Sequence, residues 1–134
     1  MSTPEGKVKE SIKAVLAQYK IYPASKAGSG PGGTGFPEDA QGWYTMPVKN
    51  AFGVSGIPDF HGHYRGVFWA VEAKVKGRTP TGFQRLQIDA ISCSGGAVFV
   101  VDGPETLKKF EYWLADIDND SHLELSRMLR NGSL

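Results

Sequence analysis

The sequence predicts an α/β domain in which helices flank a mixed β-sheet, with the elements in the order α-β-β-β-α-β-α. Several segments repeat apolar residues at helical spacing. Between the second and third of them, residues 97–101 form a wholly apolar run with the composition of a strand buried on both faces. The 134 residues suit a single domain. We assign residues 1–118 to it and residues 119–134 to an acidic helical C-terminal extension of the same domain.

The first helix is predicted before residue 20, where Ser2 or Thr3 can act as the N-cap and Pro4 suits the first turn. Glu5 falls within the apolar stripe of this helix, whereas Glu10 lies on the opposite side. The stripe consists of Val8, Ile12, Val15, Leu16 and Tyr19.

A long loop follows at residues 23–42, which hold three prolines and six glycines. This stretch lacks the Gly-Lys-Ser/Thr ending of a phosphate-binding P-loop. We expect a flexible surface loop, or a segment that becomes ordered on a ligand.

Three strands are predicted after this loop, at residues 43–48, 56–60 and 67–75. Residues 61–66 have the composition of a turn, so the last two strands form an antiparallel hairpin. His61 and His63 lie in this turn without a third ligand nearby, and we place them at the surface rather than at a metal.

A second helix begins near Thr81, because Thr81 and Gln84 have the spacing of a capping box. Gly95 and Gly96 end it. Its apolar residues at helical steps are Phe83, Leu86, Ala90 and Cys93, of which we expect Cys93 to be buried. A third helix follows the strand at residues 97–101, and a last helical piece is predicted at residues 123–129. The apolar residues of the third helix are Leu107, Phe110, Leu114 and Ile117.

Charge is distributed unevenly along a chain whose net charge is only +1. Residues 1–100 carry 11 basic and 7 acidic side chains, whereas residues 101–134 carry 4 basic and 7 acidic ones. A polyanionic partner is therefore expected to meet the first hundred residues. Cys93 is alone, which excludes an internal disulfide. No apolar run approaches the roughly 18 residues of a membrane span, so we expect a cytoplasmic protein without a membrane partner.

The predicted strand at residues 67–75 carries Glu72 and Lys74 on one face, whereas its other face is wholly apolar. Such a pair is costly to desolvate unless a metal ion, water or phosphate uses it; the alternative is an exposed sheet face with a weak ion pair. The hairpin brings Asp59 alongside the start of this strand. Carboxylates on two paired strands offer the oxygen ligands that Mg²⁺ prefers. Lys74 could position an attacking water and offset charge that develops on phosphorus.

These residues, Asp59 and then Glu72, Ala73 and Lys74, resemble the signature of the PD-(D/E)XK nucleases. More narrowly, the chain is similar to the virus-type replication-repair nuclease (VRR-NUC) domains in their small stand-alone phage form. The similarity covers most of residues 3–105, although the loop at residues 23–42 is longer than is usual in the family. The motifs are TPEGKVK at 3–9, YTMP at 44–47, GIPDF at 56–60, EAK at 72–74, PT with the following Gln84 at 80–84, and GGA at 95–97.

The resemblance implies a restriction-endonuclease-like core and a metal site. Asp59 and Glu72 would ligate Mg²⁺ or Mn²⁺ with the help of the Ala73 carbonyl, and Lys74 would be the catalytic lysine.

Two further residues match the family pattern. Gln84 corresponds to a glutamine that helps to orient the site or the DNA, and Glu5 corresponds to a glutamate of the first helix that joins the metal site. Favourable placement of an acidic residue at a helix N-terminus is the alternative explanation for Glu5.

The resemblance also implies a function, namely metal-dependent, structure-selective cleavage of DNA by a homodimer, with branched DNA such as a Holliday junction as substrate. The alternatives are a monomeric nickase or flap nuclease, and a nucleic-acid-binding module without turnover. The candidates for phosphate contacts near the site are Lys49, Arg65, Lys76, Arg78 and Arg85.

Overall fold

Helices lie on both faces of a five-stranded mixed sheet, which confirms the predicted α/β class. The computed structural model describes residues 3–49, 53–119, 128, 129 and 132. Its helices are α1 (Pro4–Gln18), α2 (Gly82–Cys93) and α3 (Pro104–Ile117). Its strands are β1 (Ile21–Pro23), β2 (Gly42–Thr45), β3 (Phe60–Tyr64), β4 (Val67–Ala73) and β5 (Ala97–Val101).

The strands follow one another across the sheet in chain order. β2, β3 and β4 are antiparallel neighbours, whereas β1 pairs parallel with β2, and β5 pairs parallel with β4 across the α2 connection. The sheet therefore has one strand more than predicted. β1 is only three residues long, so it is too short to show an alternating pattern in the sequence. The rest of the Gly/Pro-rich stretch contains short 3-10 turns at Ala24–Lys26 and Pro31–Gly33.

α1 forms as predicted. The Gly6 N–H donates to Thr3 Oγ1 at 3.0 Å, so Thr3 is the N-cap. Ile12, Val15 and Leu16 are buried against the sheet, which explains the apolar stripe in the sequence.

The hairpin that joins β3 to β4 is tighter than predicted. Because β3 begins at Phe60, the predicted strand at residues 56–60 and the predicted turn at residues 61–66 are both wrong. Arg65 and Gly66 alone connect the paired residues, and both have positive φ, 51° and 84°. A two-residue connection of this kind matches the right-handed twist of the strands, so pairing continues through residues that have turn composition.

The two histidines consequently belong to β3 and not to a turn. His61 pairs with Ala70 and His63 pairs with Phe68. The His61 ring is half-buried and stacks near Phe68 with 6.5 Å between ring centroids, and burial lowers the pKa of His61. The surface position expected for both residues is thus wrong for His61.

Gly62, in the middle of β3, is the point where the sheet is packed most closely. It pairs with Tyr44 of β2 on one side and with Trp69 of β4 on the other. A Cβ atom at this position would clash with the Trp43 carbonyl oxygen and lie 2.7 Å from the Tyr44 Cα atom. The rings of Tyr44 and Trp69 meet over the glycine at 6.4 Å. Glycine thus leaves room for two aromatic side chains from neighbouring strands.

The hydrophobic core lies between one face of the sheet and the helices α1 and α3. Trp69, Val71 and Ala73 alternate along β4 toward this face and are fully buried. The four apolar residues predicted for α3 lie here too, and the Trp69 and Phe110 rings lie 5.2 Å apart. The third helix of the prediction is therefore confirmed.

α2 lies on the opposite face, because Gly96, the residue before β5, is close to both Ile91 of α2 and the outward Phe68 of β4. The capping box of α2 forms as predicted. Its apolar stripe, however, points away from the sheet: Phe83 and Leu86 are 65% and 64% exposed, and Cys93 is exposed as well. The prediction of a buried Cys93 is wrong.

β5 is only partly buried along most of its length, so its predicted burial on both faces is also wrong. In the part of the chain that the structure describes, β5 is an edge strand, and α2 covers its outer face incompletely.

Most of the acidic extension at residues 119–134 lies outside the described residues; of the predicted helix at residues 123–129, only residues 128 and 129 are described, and both are helical. Within the part of the chain that is described, no helix combines the length and the apolar composition needed to cross a membrane.

We expect Gly62→Ala to lower the free energy of unfolding by about 3 kcal/mol or more, because the added methyl group meets backbone atoms of a paired strand that cannot move aside. Urea unfolding followed by circular dichroism measures this. Gly82→Ala is the matched control, since a Cβ atom there meets nothing within 4 Å; it should be neutral or stabilise by up to about 1 kcal/mol. Equal effects of the two changes would contradict the close packing at Gly62.

Candidate active site

Two acidic side chains face each other where β3 begins and β4 ends. The last described pair of the hairpin is Phe60 with Val71, so the residues just beyond it, Asp59 and Glu72, are opposite one another. Asp59 therefore lies beside the end of β4 and not beside its start, as the sequence suggested. Asp59 is 7% exposed and Glu72 is 1% exposed. The geometry of the hairpin thus forces two buried carboxyl groups together.

Asp59 is held by contacts to both of its oxygens. The Ala73 N–H donates to Oδ2 at 2.9 Å, in the place where a further backbone pair between the strands would otherwise form. Lys49 Nζ donates to Oδ1 at 2.8 Å, and Lys9 Nζ lies 3.9 Å from the same oxygen. Burial alone would raise the pKa of Asp59, but hydrogen bonds from Glu72, Lys49 and the Ala73 N–H hold it below its usual value.

For Glu72, the causes that raise the pKa outweigh those that lower it. Burial, together with a hydrogen bond to Asp59 and the charge of Asp59, raises its pKa to about 8, although Lys49 and Lys74 partly offset the rise. Glu72 Oε2 is buried and has no hydrogen-bond partner among the described residues. The surroundings therefore favour the ionised form of Asp59 and the protonated form of Glu72, and Glu72 Oε2 has no donor among the described residues.

Lys74 follows the last residue of β4. Its backbone N–H donates to the Val101 carbonyl of β5 at 2.8 Å, which fixes the chain at this point. Its side chain is half-buried, and its charge favours the ionised form of Glu72. The structure thus brings together Asp59, Glu72, Ala73 and Lys74.

Neither Glu5 nor Gln84 has a described hydrogen bond or ion pair with the two carboxyl groups. Glu5 is exposed, one turn before Lys9 on α1, and its charge helps to raise the pKa of Lys49. Gln84 Oε1 accepts the Thr81 N–H at 2.9 Å, so this side chain completes the capping box of α2.

The first turn of α2 is nevertheless connected to the site. Gly56, three residues before Asp59, has φ of 84° and lies so close to the Phe83 carbonyl oxygen and the Gln84 N–H that a Cβ atom would clash with them. Gln84 therefore belongs to the wall against which the segment leading to Asp59 rests.

Lys9 and Lys49 were missed as partners of Asp59 by reasoning from the sequence, which placed Lys49 only among general phosphate contacts. Lys9 lies one turn after Glu5 on the predicted first helix, so its position on the same side of that helix was an available signal. Lys49 falls outside every periodic segment, so no local signal marks it. Arg65, another of those candidates, lies at the far end of the hairpin, where its Nε is 2.7 Å from Asp118 Oδ1. It does not join the site.

The fit of a divalent cation to this group can be judged from its oxygens. The unpartnered Glu72 Oε2, beside the Asp59 carboxylate, is the arrangement that a hard cation would satisfy. Within the described residues, no three side chains of His, Cys, Asp or Glu converge. The residues fit an ion that takes two protein carboxylates and keeps several waters, as Mg²⁺ does.

The raised pKa of Glu72 gives the metal-free protein a characteristic pH dependence. Between pH 4.5, the ordinary value, and about 8, the folded state binds more protons than the unfolded state, so the free energy of unfolding should fall as the pH rises. Glu72→Gln should flatten this slope and be more stable than the wild type at pH 8. Unfolding in guanidinium from pH 5 to 9, with a chelator present, measures how the free energy of unfolding depends on pH. Glu38→Gln, at an exposed loop residue, should keep the wild-type slope; an unchanged slope in Glu72→Gln would be the contrary result.

No protein-family model, no curated protein and no solved structure matches this chain. The features that bear on function are therefore those of the site: two facing buried carboxyl groups, an oxygen without a partner, and lysines on three segments around them.

Proposed function

We propose that the chain is a metal-dependent DNA endonuclease of the VRR-NUC kind among the PD-(D/E)XK nucleases. The main support is the juxtaposition of Asp59 and Glu72, both buried, with Lys74 close enough to favour the ionised form of Glu72. The alternative of an exposed sheet face with a weak ion pair requires an accessible Glu72, whereas this side chain is 1% exposed. Carboxyl groups that are held close together and have shifted pKa values are typical of catalytic sites.

In this proposal Asp59 and Glu72, helped by the Ala73 carbonyl, hold Mg²⁺ or Mn²⁺. When bound, such an ion polarises a phosphate oxygen and makes a coordinated water more acidic. The unpartnered Glu72 Oε2 supports this assignment, because a buried oxygen without a donor is costly until a cation or a proton satisfies it.

The other residues act on the reacting groups or on their placement. Lys74 orients the attacking water in line with the leaving oxygen and offsets the negative charge that develops on phosphorus. Glu5 adds a third carboxylate at the rim, where its exposure leaves it free to turn toward the site. Gln84 fixes the first turn of α2 against the segment that leads to Asp59.

DNA is the proposed substrate, and branched DNA such as a Holliday junction is the proposed class. The excess of basic residues in positions 1–100 supports a polyanionic partner on the part of the chain that carries the site. Two alternatives keep the same scaffold: a monomeric nickase or flap nuclease, and a binding module without turnover. Oligomeric state and a panel of branched and linear DNAs separate the first from a junction nuclease, and tight binding without cleavage in Mg²⁺ or Mn²⁺ would favour the second.

Asp59→Asn and Lys74→Ala should each reduce cleavage of a four-way junction in Mg²⁺ or Mn²⁺ by about 10²-fold or more, because each removes a group placed at the reacting phosphate. Initial rates on a labelled junction measure this. Lys109→Ala, which removes an exposed lysine of α3, should cut like the wild type. If either site variant cuts as fast as Lys109→Ala, the proposed site is wrong.

We also propose that two copies of the chain pair through α2. The support is its outward stripe, in which Phe83 and Leu86 stay about two-thirds exposed although the sequence places them at core spacing. Arg85 and Asp89, both exposed beside the stripe, carry opposite charges that suit a two-fold contact between antiparallel helices. A dimer would also place two sites on one branched substrate.

Leu86→Glu should convert a dimer of the 14.5 kDa chain into a monomer, because it introduces a charge into the centre of the stripe. Size-exclusion chromatography with light scattering measures the mass. Tyr112→Glu is the matched control: Tyr112 is 67% exposed on α3 and Leu86 is 64% exposed, so neither change disturbs the core. A Leu86→Glu protein that remains dimeric would exclude this surface, and a monomeric wild type would favour the nickase or flap nuclease.

A further inference from the structure

Asp59 has one oxygen that could change partners. Oδ2 accepts from the Ala73 backbone N–H, a donor that the strand cannot withdraw. Oδ1 is contacted by two ammonium groups, Lys49 Nζ at 2.8 Å and Lys9 Nζ at 3.9 Å. A cation that binds Asp59 through Oδ1 must therefore compete with Lys49 for this oxygen.

Lys49 is the more easily displaced of these two lysines. Its side chain is 48% exposed, against 29% for Lys9, and it lies on the connection between β2 and β3, whereas Lys9 is fixed on α1. It also borders a surface cavity of about 680 Å³ lined by residues 47–49 and 53–57. When released from Asp59, the side chain has open space beside the site.

We propose that Lys49 is a displaceable counter-ion: it holds Asp59 Oδ1 while no divalent cation is bound, and cation binding releases it to contact a phosphate of the DNA. The inference rests on the proposed function and adds a residue and an order of events to it. A buried carboxylate without a partner is costly, so the empty site needs a cation of its own. A divalent ion at the same oxygen repels an ammonium group and compensates the carboxylate in its place.

This arrangement links metal loading to DNA binding. Without the ion, Lys49 is neutralised by Asp59 and offers little to a phosphate. With the ion, the same ammonium group stands free beside the reacting phosphate. Lys49 would thus bind DNA strongly only when the site is ready for chemistry.

The first test measures Mn²⁺ binding to the DNA-free protein by isothermal titration calorimetry. Lys49→Met keeps the length of the side chain and removes its charge, so it should bind Mn²⁺ about threefold to tenfold more tightly than the wild type. Lys109→Met is the control and should bind as the wild type does. Lys49→Arg should restore the weaker binding. Asp59→Asn should abolish the heat and so show that the titrated site is this one.

The second test measures binding of a four-way junction as a function of salt, in a Lys74→Ala background that slows cleavage. With saturating Mn²⁺, Lys49→Met should reduce the slope of log K against log salt by about 0.9, the value for one lost phosphate contact. Without Mn²⁺, the reduction should be less than about 0.3, because Lys49 is then paired with Asp59. A merely structural lysine would change the slope equally in both conditions or not at all.

The outcomes separate this inference from the proposed function. Equal Mn²⁺ affinities of the wild type and Lys49→Met, with binding lost in Asp59→Asn, would overturn the counter-ion role and leave the metal site intact. A salt slope that responds equally with and without Mn²⁺ would also overturn it. If Mn²⁺ binding does not depend on Asp59 at all, the proposed function falls, and this inference with it.

Discussion

The burial of two facing carboxyl groups governs the end of the β3–β4 hairpin. The backbone pairing leaves Asp59 and Glu72 no way to separate, and the surroundings divide the two roles between them. Asp59 receives the hydrogen bonds and the lysines and stays ionised, whereas Glu72 takes the proton and keeps one oxygen without a partner. Lysines from α1, from the β2–β3 connection and from the end of β4 surround the pair. The fold thus buries two carboxyl groups at a cost in desolvation and also places lysines that partly offset this cost.

The two faces of the sheet differ in how completely they are covered. α1 and α3 bury one face, where aromatic rings from β2, β4 and α3 pack over the gap left by Gly62. Among the described residues, α2 is the helix on the other face, and it leaves Phe68 42% exposed and turns its own apolar stripe outward. The face covered by α1 and α3 holds β4, and with it Glu72, in place. The face covered by α2 has exposed apolar side chains to which another molecule could bind.

Periodicity in the sequence was enough to predict the helices, because α1 and α3 each bury a stripe that repeats at helical spacing. It failed for β3, because residues 61–64 have turn composition and become a strand only through pairing with neighbours on both sides. The stripe of α2 was recognised but placed on the wrong side, since spacing alone does not tell a core from an outward surface. The ion pair of Lys49 with Asp59 could not be predicted, because Lys49 lies in a loop and no periodic pattern in the sequence marks such a contact.

The close approach of Gly56 to the first turn of α2 joins two regions of the molecule that otherwise have separate tasks. A shift of this helix toward Gly56 would press on the segment that ends at Asp59, because even a Cβ atom has no space between the glycine and the Phe83 carbonyl. Thermodynamic coupling is reciprocal, so any change that occupancy of the α2 surface makes in the affinity at the carboxyl pair is returned in equal measure. Pairing of two chains through α2 and binding of a cation at Asp59 and Glu72 would then be thermodynamically linked.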